Sequence, residues 1–233
     1  MRNGPRALWL VRHGESAGNV ARAAAYRDRS HTIELETRDA DVPLSAAGEE
    51  QARAFGRWLG GRPRELWPTY VLASPYLRAT RTARLALDTA GGELAALPVD
   101  HDERLRDREM GVLEELTWHG VEARHPEEAA RAARVGKLAY RPPGGESWND
   151  IVLRLRSLYA DVARELAGDR VLVFAHDAVI QLTRVVIEGL SEAETLAAGH
   201  EEYENGALTS YERTADGYTR TAWNEVVGRR AGV

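Results

Sequence analysis

Ala7-Leu8-Trp9-Leu10-Val11 is a nearly continuous apolar run that stops abruptly at Arg12-His13-Gly14-Glu15-Ser16. A run with no polar alternation suits a strand covered on both faces, because a strand with one wet face would read apolar and polar in turn. Tyr70-Val71-Leu72-Ala73 and Val171-Leu172-Val173-Phe174-Ala175 repeat the pattern, each with its own polar stop: Ser74-Pro75-Tyr76-Leu77-Arg78 after the first, His176-Asp177 after the second. Between these runs the spacing turns helical. Ala52, Phe55 and Leu59 share one face, and Ile151, Leu155, Leu158, Val162 and Leu166 recur at steps of three and four. Ser147 with Asp150, and Ser191 with Glu194, have the spacing of capping boxes. Residues 78–90 and 179–187 also read as helical. Residues 207–213 and 218–223 read as strands joined by Ala215-Asp216-Gly217, a terminal hairpin.

Strands alternating with helices predict an α/β protein, a three-layer α/β/α sandwich around a mostly parallel central sheet. No repeat or Pro/Gly/Ser-rich linker divides the chain, so residues 1–233 read as one domain. Residues 30–41 and 105–145 fit the alternation least, and loop-rich excursions are expected near 20–41 and 105–145.

Of the 233 residues, 43% are hydrophobic and 29% charged, with a formal net charge of -5 from 31 Lys+Arg against 36 Asp+Glu. No global positive field recruits nucleic acid or an anionic membrane. Cysteine is absent, which removes disulfides, thiolate nucleophiles and Cys-ligated metal centres together. Lys137 is the only lysine, so it is the only Schiff-base candidate. Met1 to Arg6 is polar and only five apolar residues follow, so no secretory or spanning segment is expected and the cytoplasm is the default compartment.

Ligands of open α/β sheets bind beyond the carboxyl ends of strands, where all three polar stops fall. Arg12, His13, Arg78 and His176 converging there would suit a dianion, with guanidinium groups on phosphate oxygens and imidazole as donor or nucleophile. An imidazole with a pKa near 6.5 is substantially unprotonated at neutral pH, so it can attack phosphorus without special activation. The charge developing on the equatorial oxygens needs fixed cations, and the leaving alkoxide needs a carboxylic acid. No step requires a metal ion or other cofactor.

At these residues the chain resembles the histidine phosphatase superfamily, also called phosphoglycerate mutase-like. Arg12-His13-Gly14-Glu15-Ser16 with Asn19 is similar to its opening signature, and Asp41-Val42-Pro43-Leu44-Ser45 with Gly48 and Gln51 to the segment leading into its first long helix. Ser74-Pro75 through Arg78-Ala79 and Thr82-Ala83, Pro143-Gly144-Gly145-Glu146-Ser147 and the strand end at His176 complete the pattern in order. The resemblance implies His13 as nucleophile and Arg12, Arg78, His176 and Asn19 as phosphate contacts, with a small phosphorylated molecule as substrate. Asn19 is equally suited to capping the following helix.

The family's usual proton donor is a glutamate four residues before a glycine, and counting back from Gly111 gives Asp107. Asp107 is the first choice, Glu109 the second. Asp177 is a third, because His-Asp at this point is similar to the acid phosphatase branch. The segment Val20-Ala21-Arg22-Ala23-Ala24 lacks the aromatic and asparagine-rich character of the mutases, which favours hydrolysis over phosphoglycerate mutase-type transfer. A non-catalytic phosphate-binding module is the other alternative, favoured by the shortened acid. Residues 111–117 also resemble the bisphosphatase half of the bifunctional fructose bisphosphate regulator. His31, His101, His119, His125 and His200 lack paired metal spacing and read as surface residues, while Trp58, Trp67 and Trp148 read as packing. Substrate identity and oligomeric state stay open.

Overall fold

In the computed structural model, which describes residues 4–199 and 201–228, the three apolar runs lie side by side. They are β1 (Ala7–Arg12), β2 (Tyr70–Ala73) and β4 (Arg170–Ala175), joined by β3 (Asp100–His101), β5 (Leu208–Thr214) and β6 (Gly217–Glu225). The strand order is β3-β2-β4-β1-β5-β6. The pairs from β3 to β1 are parallel, and β5 and β6 add the antiparallel hairpin expected around Asp216.

The helices are α1 (Ala17–Arg27), α2 (Ala46–Gly60), α3 (Leu77–Ala90), α4 (Gly92–Ala95), α5 (Trp118–Arg124), α6 (Pro126–Val135), α7 (Trp148–Glu165), α8 (Asp177–Ile187) and α9 (Glu192–Ala198). Their starts follow from side-chain oxygens that satisfy otherwise unpaired N–H groups. Ser147 and Asp150 form a reciprocal capping box on α7, and Ser191 and Glu194 form another on α9.

Alternation along each strand sorts the core into two layers. Leu8, Leu10, Val171 and Val173 face Ile151, Leu155, Leu158 and Val179 of α7 and α8. Trp9, Val11, Leu172 and Phe174 face Phe55 and Leu59 of α2 and Ala83 and Leu87 of α3. Both faces are therefore dry, which is why the strands read as continuous apolar runs. Each buried Leu or Phe contributes about 1.5–3 kcal/mol. Trp58 tilts against Trp9 and Phe55, and Trp148 is buried, in line with packing roles.

The excursions are less irregular than expected. Residues 17–27 are helical, so irregular chain begins only after α1, and the 105–145 stretch contains α5 and α6. Val121, Ala129 and Ala132 pack with Leu113 and Tyr140 in a small separate cluster. Helices this short show too few turns for periodicity, although the Thr117 cap and Pro126 with Glu127 and Glu128 at the α6 start are local signals of helix entry. Among the described residues no helix is long and apolar enough to cross a membrane.

Candidate active site

β1, β2 and β4 end nearly flush: Arg12 is opposite Ala175, and Ala73 opposite Phe174. The ladder runs one bond further on each side, from His13 N–H to the Ala175 carbonyl and from Ser74 N–H to that of Phe174, both at 2.9 Å. These bonds fix His13, Ser74 and His176 as neighbours, and His176 heads α8.

His13 is only 3% exposed. Its Nδ1 lies 2.7 Å from the Gly14 carbonyl oxygen, which can only accept, so Nδ1 carries the proton and Nε2 keeps its lone pair. Burial, reinforced by the charges of His176, Arg78 and Arg12, holds the imidazole well below 6.5. The ring is neutral at pH 7, as a nucleophile must be. The His176 ring stands edge-on to it, with centroids 5.2 Å apart.

Gly14 permits a close approach that ties this loop to two helices. A Cβ at Gly14 would stand 2.3 Å from the Gly48 carbonyl oxygen, and a Cβ at Gly48 only 1.9 Å from that of Glu15. Gly14 N–H donates to Thr82 Oγ1 at 3.0 Å, and the Thr82 hydroxyl donates to the Arg78 carbonyl at 2.6 Å. Arg78, in the first turn of α3, is thereby fixed relative to His13.

Arg78 is 4% exposed. Its Nη1 donates to the Asp39 carbonyl at 2.6 Å and to Oδ1 at 3.1 Å, while Nη2 donates at 3.0 Å to both Asp39 Oδ2 and Asp107 Oδ2. His176 is fully buried; its Nε2 is 2.8 Å from the Ser74 hydroxyl. Its Nδ1 lies 3.2 Å from Asp107 Oδ2 without the alignment of a hydrogen bond and is otherwise unpartnered among the described residues. Arg12 donates through Nη1 to the Tyr203 carbonyl, and its buried Nε has no partner among the described residues. Buried donors without acceptors are uncommon in folded proteins and mark where an anion can bind.

Burial alone would raise the Asp107 carboxyl. The charges of His176 and Arg78, with a hydrogen bond from Arg108 N–H, outweigh it and hold the group well below 3.8. Glu109 is set back: its Oε1 accepts from the Tyr76 hydroxyl at 2.9 Å. Asp177 accepts from Ala178 N–H at the start of α8 and makes no hydrogen bond to the histidines or arginines of the site. Asn19 Oδ1 accepts from Ser16 N–H and from Asn205 Nδ2, so its carbonyl closes the α1 capping box. Glu15 Oε1 accepts from the Ser45 hydroxyl at 2.6 Å, an orienting contact.

The structure thus gathers Arg12, His13, Arg78, His176 and Asp107, and leaves Glu109, Asp177 and Asn19 around them. Sequence reasoning gave no role to Ser74, Tyr76 or Asp39. Tyr76 lies beneath the Arg78 guanidinium at 5.0 Å and edge-on to His176 at 5.2 Å. Ser74 and Tyr76 follow β2 directly, a position that could have flagged them; Asp39 carried no signal. His31, His101 and His119 are exposed, and His200 lies outside the described residues.

A parallel-sheet α/β fold with two histidines and two arginines over adjacent strand ends defines a class of phosphate-handling proteins. The chain belongs to the histidine phosphatase superfamily (branch 1), whose family model matches residues 8–226. It is 34% identical over 192 residues to a 2,3-bisphosphoglycerate-dependent phosphoglycerate mutase of Methylobacterium radiotolerans, covering 81% of this chain and 82% of that one. The structure is similar to a mycobacterial glucosyl-3-phosphoglycerate phosphatase, with TM-score 0.71, 27% identity, and 94% and 98% of the two chains covered. It shares its fold with the alpha-ribazole phosphatase of Shigella flexneri, with TM-score 0.75, 23% identity, and 95% and 97% covered.

Proposed function

We propose that the protein is a phosphomonoesterase that works through a phosphohistidine on His13. The observation that carries this reading is the Nδ1 bond to the Gly14 carbonyl, which leaves a neutral Nε2 lone pair among Arg12, Arg78 and His176. Nε2 attacks phosphorus and the P–O bond to the leaving group breaks. Asp107, or failing it Glu109, once protonated in the substrate complex, gives that proton to the departing oxygen. Water then attacks the phosphohistidine, the carboxylate takes the water's proton, and the P–N bond breaks to release orthophosphate. The arginines and His176 stabilise the charge on the equatorial oxygens in both displacements.

The mutase relative favours a second reading, in which the phosphoryl group returns to an organic acceptor. Both pass through the same intermediate, and the product separates them. With a radiolabelled phosphoester, acid-labile and alkali-stable label should appear on His13 and chase into orthophosphate. Chase into an isomeric phosphoester would establish the mutase reading, and full activity in His13→Ala would refute both.

A further inference from the structure

Asp107 sits where a bound phosphate oxygen has to go. Its Oδ2 is 3.0 Å from Arg78 Nη2 and 3.2 Å from His176 Nδ1. A guanidinium has five N–H donors. Asp39 takes three of those of Arg78 and Asp107 takes one, which leaves only Nε–H. The two carboxylates hold Arg78 differently. Asp39 grips it through both carboxylate oxygens and its own main chain, whereas Asp107 uses a single oxygen that it shares with His176.

We propose that a phosphoester dianion expels the Asp107 carboxylate from Arg78 and His176, and that Asp107 takes up one proton from solvent as it leaves. Binding thereby loads the acid that the reaction next requires, while Asp39 stays as the fixed counter-ion of Arg78. The proposal rests on the reading of this hollow as a phosphate site and on no particular ester.

The surroundings of Asp107 argue for the proton. Arg78 from α3 and His176 at the head of α8 are the groups that hold it ionised, and both turn to the dianion on binding. Arg12 at the end of β1 and His13 just after it complete the cluster, the His13 ring 5.2 Å from that of His176. Asp39 presses from the turn before α2, and Glu109 and Glu114 from its own segment. Glu114 is an exposed side chain whose carboxyl is nonetheless pushed up to about 7, by partial desolvation first and then by Asp39, Glu109 and Asp107. Arg108 stays attached through its main-chain N–H to Oδ1 at 2.9 Å. Arg154 from α7 donates to the Asp107 main-chain oxygen at 3.2 Å and is otherwise paired with Glu146. Once displaced, the carboxylate faces a dianion and the carboxylates of Asp39 and Glu109 with its two strongest partners gone, and like charges in a desolvated site favour the protonated form. The proton moves from water to a carboxyl oxygen, and later to the leaving oxygen as the P–O bond breaks.

Sulfate is a suitable probe because it remains a dianion across neutral pH. Titration calorimetry in two buffers of different ionisation enthalpy should show uptake of about one proton per sulfate at pH 7, with Kd weakening about tenfold per pH unit from 6.5 to 8. Asp107→Asn should bind sulfate without uptake, independently of pH, and at least about tenfold more tightly at pH 8. Sulfate binding to the wild type without uptake, or undiminished uptake in Asp107→Asn, overturns the proposal and leaves the phosphatase reading standing. Failure of sulfate to bind at all overturns both.

Discussion

The same three strands have two ends, and they solve the problem of polar groups in opposite ways. At the amino ends, Thr69 donates to Asp169 at 2.8 Å and accepts from Arg170 N–H at 3.0 Å, all in contact with solvent. A cavity of about 370 Å³ opens there, lined by Arg64, Trp67, Thr69 and Glu93 among others, but Arg64 and Glu93 pair with each other at 2.6 Å. The carboxyl ends hold two histidines and an arginine at 4% exposure or less, with orphaned nitrogens on His176 and Arg12. Elsewhere among the described residues Arg62 Nε, Arg170 Nη1 and Arg184 Nη1 are also unpartnered, but Arg170 still faces Glu212 at 4.0 Å and Arg184 faces Glu201 at 3.9 Å. Cavity volume therefore points to one end and chemistry to the other. The desolvated Arg78 guanidinium distinguishes them, because keeping it buried costs stability that a bound anion or a carboxylate partner offsets.

The sharpest way to break this contrast is His13→Ala. It should lower kcat/KM for an aryl phosphate by at least about 10⁴-fold with the circular dichroism spectrum unchanged. A fully active variant would make the buried end structural. Asp107→Asn comes next, with an expected loss of about 10²–10⁴-fold on alkyl phosphates and much less on aryl phosphates, whose leaving groups need no proton. Glu109→Gln and Asp177→Asn should stay within about tenfold of wild type; a larger loss in either would move the donor there.

Ser74→Ala removes the partner of His176 Nε2 and should cost about 1–3 kcal/mol in urea denaturation, the usual cost of an unsatisfied buried polar group. Acid should destabilise the same end. His13 titrates below 6.5 in the folded protein, so the unfolded chain binds the proton first as pH falls. Its contribution is complete above about 6.5 and declines below it, by at most about 1.4 kcal/mol per pH unit, until the folded group titrates. Asp107 follows the same sign from about 3.9 downward. His13→Gln should flatten the loss between pH 6.5 and 5. Thr69→Ala, at the wet end, should change stability by less than about 0.5 kcal/mol, and a larger effect would blur the distinction between the ends.

The pieces of the fold that the amino-acid order made legible are those governed by near neighbours in the chain. Five apolar residues before Arg12 specify a doubly covered strand, a Ser and an Asp three apart specify the start of α7, and a polar stop after each strand specifies the sheet edge at which the two histidines and two arginines meet. The clustering of Arg12, His13, Arg78 and His176 was legible because each sits at a strand end or one turn beyond it. Other features lie on chain with no period of its own. Asp39 meets Arg78 from 39 residues away and Asp107 from 29, and only the path of two excursions brings them to one guanidinium. The contact of Asp107 with Arg78 and His176, the Tyr76 hydroxyl on Glu109 and the use of Asn19 as a cap likewise arise from tertiary contacts. Hydrophobic alternation and capping act over a few residues and are written in the local sequence, whereas the partner of a buried charge depends on which distant segments the packed core brings beside it.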